Sequence, residues 1–356
     1  MNSDWQAHLQ SEHALIQDGR VVNFGDPAAE LAATQSATVV SDLSHFGLIQ
    51  FAGEDAQSFL QGQLSCDVSQ VSSSTTPAAT YGGYCNPKGR LLASLLLWHD
   101  NSGYLMQLPS ALRAGIQKRL SMYVLRAKVK VADASDSVVR LGVAGSHASA
   151  LIHSTLGEIS PLRLAVSQGE AGSVIRLPGA RQERFELIIA KEHAVAVWQG
   201  LRRAASPVGS ACWDWLEIRA GIPVILPATQ EQFVPQMLNL DAIGGVSFQK
   251  GCYPGQEIVA RTQYLGKIKR RMYLAGVKVE QGSPPILPLS AGDELFSADM
   301  GNQSSGTVVN AAPSPGGGYD VLAAIQISSA EASQVRWKSP EGPALEIMPL
   351  PYPIDP

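Results

Sequence analysis

The chain has 356 residues, 27 Lys+Arg against 31 Asp+Glu, and a formal net charge of −4. Hydrophobic content of 45% and charged content of 16% supply apolar cores and exclude a polyanion-coating or disordered protein. Four scattered cysteines without a CxxC pair exclude a disulfide scaffold and a structural zinc site. The polar N-terminus and the absence of a bilayer-length apolar run lead to the expectation of a reduced, cytoplasmic protein without a membrane partner.

Ser3 and Gln6 form a capping-box pattern ahead of a helix with Trp5, Leu9 and Ile16 on one face. Pro27 to Leu31 starts a short second helix. Val39 to Phe51 reads as extended with a break near Gly47, Gly53 to Leu64 as a helix, and Ser69 to Thr76 as a loop. Strands follow at Tyr81 to Tyr84, Leu91 to Trp98 and Tyr104 to Leu108, with Asn86-Pro87-Lys88-Gly89 as a turn. Ser110 to Leu125 is an amphipathic helix whose stripe is Leu112, Ile116, Leu120 and Tyr123. Val138 to Val143, Val174 to Leu177 and Phe185 to Ile189 read as strands and Ala194 to Leu201 as a helix, a mixture that predicts α+β layers. After Arg270 the pattern turns all-β, at Met272 to Val279, Gly306 to Asn310, Tyr319 to Ile325 and Leu345 to Met348. That predicts a small C-terminal β-barrel or sandwich.

Lys250-Gly251-Cys252-Tyr253-Pro254-Gly255-Gln256-Glu257 is the segment with the most chemistry. Glycines and a proline around a cysteine make a tight, exposed turn, and Ile258, Val259 and Tyr264 point to a helix starting near Gln256. Amides at that helix start, together with Lys250, favour a thiolate at Cys252, and Glu257 in the first turn is placed to receive a proton. Most cysteines are inert small hydrophobes, and Cys66, Cys85 and Cys212 are read that way. Trp213 and Trp215 are core candidates, or an indole platform for a flat heteroaromatic ligand. Lys267, Lys269, Arg270 and Arg271 read as a solvated strand face, with an anionic tail or RNA as the lesser reading. Dinucleotide, P-loop and zincin motifs are absent from the sequence.

These residues resemble the YgfZ family of folate-binding proteins, relatives of the T-protein (aminomethyltransferase) of the glycine cleavage system. The Lys250–Glu257 signature is the specific part. Asp42-Leu43-Ser44-His45-Phe46-Gly47, Phe59 to Gln63, Asn86 to Arg90, Gly142 to Gly145, Ala220-Gly221-Ile222-Pro223 and Pro349 to Tyr352 agree in the same order. The resemblance implies two α+β units and a C-terminal β-barrel around a central folate site. Residues 1–265 would form the folate-binding region, one unit of it centred on about 50–135, and residues 266–356 the barrel. It implies tetrahydrofolate or a derivative as ligand, bordered by Phe46 and Trp213. It also implies a role in iron–sulfur cluster assembly or maintenance, indirectly serving tRNA modification by radical enzymes, with iron–sulfur proteins as partners. Direct nucleic-acid binding is not expected. Relatives carry Glu directly before Ala-Gly-Ile-Pro; this chain has Arg219 there and Glu217 two residues earlier. T-proteins supply a catalytic Asp after the glycine turn, whereas this sequence has no Asp or Glu between Asp67 and Asp100. The expectation is a folate cradle without aminomethyl transfer, with Cys252, Lys250 and Glu257 as working residues. A folate-dependent one-carbon transferase and a tRNA-binding module are the alternatives.

Overall fold

The strand Arg184–Ala190 alternates charged and apolar residues, so Phe185, Leu187 and Ile189 face one way and Arg184 and Glu186 the other. Its antiparallel partner Val138–Ala144 repeats the division, with Val139, Leu141 and Val143 against Arg140 and Gly142. The apolar residues of both strands belong to one core with Trp5 and Leu9 of the helix Ser3–Ser11, Ile152 of Ala148–Leu156, and Val197 and Trp198 of Lys191–Leu201. The sheet has six strands in the order Val166–Gly169, Gly172–Leu177, Arg184–Ala190, Val138–Ala144, Val39–Asp42 and Ser206–Val208. Only the last pair is parallel.

The computed structural model describes residues 1–71, 77–264, 266, 268–278, 288–332 and 334–354. Two compact units are formed, each from separate stretches of chain. The first comprises Met1–Phe59, Val68–Thr80 and Leu96–Trp213; the second comprises Leu60–Asp67, Tyr81–Leu95 and Asp214–Pro356. The first unit also holds Phe46–Ala52 between Gly103–Pro109 and Lys130–Asp133, with the helix Ser110–Met122 beside them. In the second unit six antiparallel strands run in the order Arg336–Trp337, Glu294–Phe296, Ser304–Pro313, Tyr319–Gln326, Arg270–Val277 and Leu345–Met348. The sheet curls, because a bridge between Arg336 and Ala344 links its two end segments. Its core holds Leu295, Val308, Val321, Ile325 and Trp337. The mixed α+β expectation therefore holds; the C-terminal part is mostly β rather than all-β, since the helix Ile327–Ala332 interrupts its strands.

Several local expectations shift. Asn2, not Ser3, caps the first helix, its Oδ1 accepting from the amides of Asp4 (3.0 Å) and Trp5 (3.3 Å). Ile16 lies beyond that helix, in the strand Leu15–Gln17. The break in the early extended segment comes at residues 43–45, where Asp42 Oδ1 accepts from the Ser44 amide (3.0 Å); Gly47 lies within a strand. The helix expected over Gly53 to Leu64 is shorter, Ala56–Gln61. Most of the Ser69–Thr76 loop, Lys267 and Val279 lie outside the described residues.

The Ala-Gly-Ile-Pro segment and the late Pro-Leu-Pro-Tyr segment meet in the second unit. Gly221 has φ +69°, and a Cβ there would lie 2.6 Å from Tyr352 Cε1. Tyr352 Oη donates to the Gly221 carbonyl (2.7 Å). Gly221→Ala should therefore destabilise by about 2 kcal/mol or more, through left-handed backbone and overpacking together. Tyr352→Phe, which loses only the hydrogen bond, should cost about 1 kcal/mol. Denaturant unfolding of both variants checks the order; equal losses would exclude the steric component.

Candidate functional site

In the first unit the sheet face opposite the apolar core is polar and buried. Arg140, Arg184 and Glu186 each expose no more than 3% of their surface, and Gln107 joins them. Gln107 Nε2 donates to Glu186 Oε2 (2.8 Å), Arg140 donates to Gln107 Oε1 (3.0 Å), and its other terminal nitrogen donates to the Phe46 carbonyl (2.5 Å). Buried charge is costly unless paired and hydrogen-bonded, and here Gln107 bridges Arg140 to Glu186. Burial still lowers the Arg140 pKa, opposed first by Glu186 and then by Asp42.

The early Asp-Leu-Ser-His-Phe-Gly motif feeds the same layer. Burial raises the Asp42 pKa, against hydrogen bonds from Trp5 Nε1 (2.8 Å) and from the amide and hydroxyl of Ser44. Burial, and then the positive charges of Arg20 and Arg140, hold His45 well below the usual imidazole range, so it is neutral. Phe46 lies against His45 with ring centroids 4.5 Å apart. Trp213 is also buried, with the Arg184 guanidinium carbon 4.8 Å above its ring. Gly142 makes room for that indole, since a Cβ there would lie 2.4 Å from Trp213 Cζ3. A ligand meeting Trp213 thus meets an Arg184–Trp213 pair rather than a bare indole.

In the second unit two turns lock together. The helix expected near Gln256 runs Gln256–Tyr264, with Val259 buried and Glu257 exposed in its first turn. Gly255 (φ +80°) backs onto the Asn86–Gly89 turn; a Cβ would lie 2.5 Å from the Asn86 carbonyl oxygen and 2.6 Å from the Gly89 backbone. Asn86 Oδ1 accepts from the amides of Lys88 (2.9 Å) and Arg90 (3.0 Å), while its Nδ2 donates to Glu231 Oε2 (3.0 Å). Lys250 Nζ donates to the carbonyls of Gln61 (2.6 Å), Leu64 (2.5 Å) and Cys66 (3.0 Å). An ammonium has three donors, and all three go to backbone. Cys252 is exposed, whereas Cys66, Cys85 and Cys212 are buried. Burial pushes the Cys66 and Cys85 thiols up to about 12. Tyr253 turns inward; burial, and then Cys85 and Cys66, push its phenol up, and among the described residues its hydroxyl has no hydrogen-bond partner.

The predicted site residues therefore fall into two sets, Phe46 and Trp213 in the first unit and Lys250, Cys252 and Glu257 in the second. Sequence reasoning did not single out Arg140, Arg184, Glu186 or Gln107. The available signal was a charged residue at every second position of a strand too apolar to lie at the surface. It also did not single out Glu231, which approaches the acid-free turn from 145 residues away. Glu217 is buried in the helix Ser210–Arg219, and Arg219 pairs with Asp320 (3.4 Å). Arg271, read as part of a solvated face, is buried against Asp241 (2.8 Å) and the Gln236 carbonyl. Trp215 donates to Asp320 (2.8 Å). Among the described residues no group of three or more His, Cys, Asp or Glu could hold a metal, and no helix is long and apolar enough to cross a membrane.

The family model described as the GCVT N-terminal domain matches residues 20–249. A protein named tRNA-modifying protein YgfZ from Colwellia psychrerythraea is 36% identical over 244 residues, covering 68% of this chain and 73% of that one. Proteins of the same name from Pectobacterium carotovorum (31% identical, 91% and 94% covered) and Escherichia coli O127:H6 (32%, 92% and 98%) match nearly end to end. Among solved structures, glycine cleavage system aminomethyltransferase T from Bartonella henselae superposes with a TM-score of 0.77, covering 99% of this chain and 97% of that chain. At 17% identity this likeness shows the fold.

Thiol titration should find one fast-reacting group in the native protein and four after denaturation; Cys252→Ala should remove the fast one. More than one fast thiol in the native protein would contradict the burial described. Between about 9 and about 12 the unfolded chain releases thiol protons that native Cys66 and Cys85 retain. Stability should fall as pH rises through that window, and Cys66→Ala should flatten the fall in alkaline unfolding curves.

Proposed function

The chain belongs to the GCVT N-terminal domain family and to the YgfZ proteins, and from that membership we propose that it binds a reduced folate as an accessory protein in tRNA modification. The observation that carries this reading is the buried layer of Arg140, Gln107 and Glu186 beside the Arg184–Trp213 pair. Carboxylate, amide and guanidinium held together supply the donors and acceptors that a pterin-type heterocycle requires, next to an aromatic wall. Phe46, bonded to the layer through its carbonyl, borders the ligand. The names of the relatives support the tRNA connection.

The finer reading is that the protein acts in the cytoplasm in iron–sulfur cluster assembly or maintenance, with Cys252 as its working thiol. An accessible thiol on a turn braced by the Gly255 contact and the Lys250 cradle supports it. Glu257 is its acid–base neighbour. Two α+β units and a C-terminal barrel over residues 266–356 complete the proposal. The second reading, a folate-dependent one-carbon transferase, has one observation in its favour: Glu231 brings a carboxylate to Asn86 where the sequence has none.

Calorimetric titration with tetrahydrofolate, run well below each variant's unfolding midpoint, should give saturable binding that Glu186→Gln and Trp213→Ala each weaken at least tenfold, about 1.4 kcal/mol; loss of the buried indole should also lower the midpoint of Trp213→Ala. Absence of binding by the wild type would overturn the folate reading. Cys252→Ala should keep folate binding yet fail to restore tRNA modification in cells lacking the protein; full restoration would make Cys252 a bystander. Turnover of aminomethyl-lipoyl protein, abolished by Glu231→Gln, would select the transferase instead.

A further inference from the structure

The C-terminal end of the helix Ser110–Met122 presents an apolar cluster to solvent. Met122 is 62% exposed, Tyr123 46% and Leu125 85%. Tyr123 would continue the stripe of Leu112, Ile116 and Leu120, but the helix ends at Met122 and only those three residues are buried. The Ala127 amide donates to the Val124 carbonyl (2.8 Å), closing a tight turn with Leu125 and Arg126 at its tip. Leu125 has φ +47°, a left-handed conformation in which Gly, Asn or Asp is the ordinary choice. A large aliphatic side chain is thus held outward against both its backbone preference and its hydration preference. Neither packing nor turn chemistry accounts for leucine there.

Charge along this stretch of sequence is one-sided. Between Asp100 and Asp133 the sequence has no acidic residue and six basic ones, in a chain of net charge −4. Arg113 pairs with Asp133 (2.6 Å) and Lys128 with Glu54 (2.7 Å). Lys118, Arg119, Arg126 and Lys130 complete the set. Helical spacing places Lys118 one turn from Met122 and Arg119 one turn from Tyr123, while Arg126 adjoins Leu125. Met, Tyr and Arg are the residues enriched in protein interfaces. Single-stranded nucleic acid calls instead for successive aromatic platforms along a basic groove, and here one tyrosine stands between two aliphatic residues.

We propose that the tip formed by Met122, Tyr123, Leu125 and Arg126 docks a second protein through an apolar cleft rimmed by carboxylates. The tip enters the cleft as the anchor, and the surrounding cations select the acidic rim and speed encounter. This surface lies wholly in the first unit and stands independently of the folate reading.

The test places a photo-crosslinking benzoylphenylalanine at position 122 of the full chain in living cells. A control probe occupies position 162, where Leu162 is 57% exposed and has one cation, Arg163, beside it in sequence. Adducts are typed by protease and nuclease sensitivity, and the attached peptide is mapped by mass spectrometry. The expected result is a protein adduct at position 122 only, mapping to an acidic segment that contains apolar residues. Its yield should fall at least tenfold in Arg126→Glu and in Leu125→Asp. Aspartate suits the left-handed backbone, so both variants should keep the wild-type unfolding midpoint. A nuclease-sensitive adduct, a mapped segment lacking acidic residues, crosslinking to a second copy, a yield no higher than at position 162, or a yield indifferent to either substitution would overturn the proposal.

Discussion

Gly255 presses its backbone onto the Asn86 carbonyl and the Gly89 backbone, at a separation that leaves no space for a methyl group. That contact makes two distant sequence motifs into one structural element. On one side Asn86 folds its own turn through the Lys88 and Arg90 amides. On the other, the helix Gln256–Tyr264 begins directly after Gly255. Lys250 completes the bracing with three carbonyl contacts at residues 61, 64 and 66. Cys252 thereby lies between two braced residues while remaining accessible. The Lys250 ammonium holds the turn through these bonds, because a half-buried cation is retained only where it is hydrogen-bonded.

The first unit uses its sheet differently on its two faces. One face is an ordinary apolar core. The other buries charge, which costs more than hydrocarbon at the same positions would. Hydrogen bonds through Gln107 tie Arg140 and Glu186 together and hold their geometry. Glu186 and Arg184 lie two residues apart on one strand, so register alone fixes their spacing. Gly142 on the neighbouring strand is the small residue that admits Trp213 beside them.

How much of this was legible follows from the kind of signal each feature carries. The helix after Gly255, the Asn86 turn and the C-terminal strands announce themselves through glycine, proline and periodicity, which are local properties. Arg184 and Glu186 do not: alternation of charged and apolar residues ordinarily marks a half-exposed strand, and only tertiary covering of the second face makes those residues interior. Arg271 was taken for surface for the same reason; its register opposite Ile325 in the strand Tyr319–Gln326 turns it inward to Asp241. Tyr123 failed in the other direction, since a helix that ends one residue early removes it from the buried stripe. Glu231 was invisible in principle, because no local pattern brings residue 231 to residue 86.

Both compact units are assembled from stretches that are not contiguous in the chain. The Glu30 carboxylate accepts from the Gly209 amide (2.8 Å), 179 residues away, and the parallel pair Val39–Asp42 and Ser206–Val208 closes the same long loop. Loop closure over such a distance precedes any reward from the contacts it brings together. On the ribosome the first unit therefore cannot finish until more than two hundred residues have emerged, and its early strands wait with an unpaired edge. Neither unit corresponds to a fragment that could be cut out at a single boundary, so a nascent chain interrupted partway holds pieces of two units and the whole of neither. The order of synthesis and the order of assembly are thus out of step, and strand edges stay unpaired for much of translation.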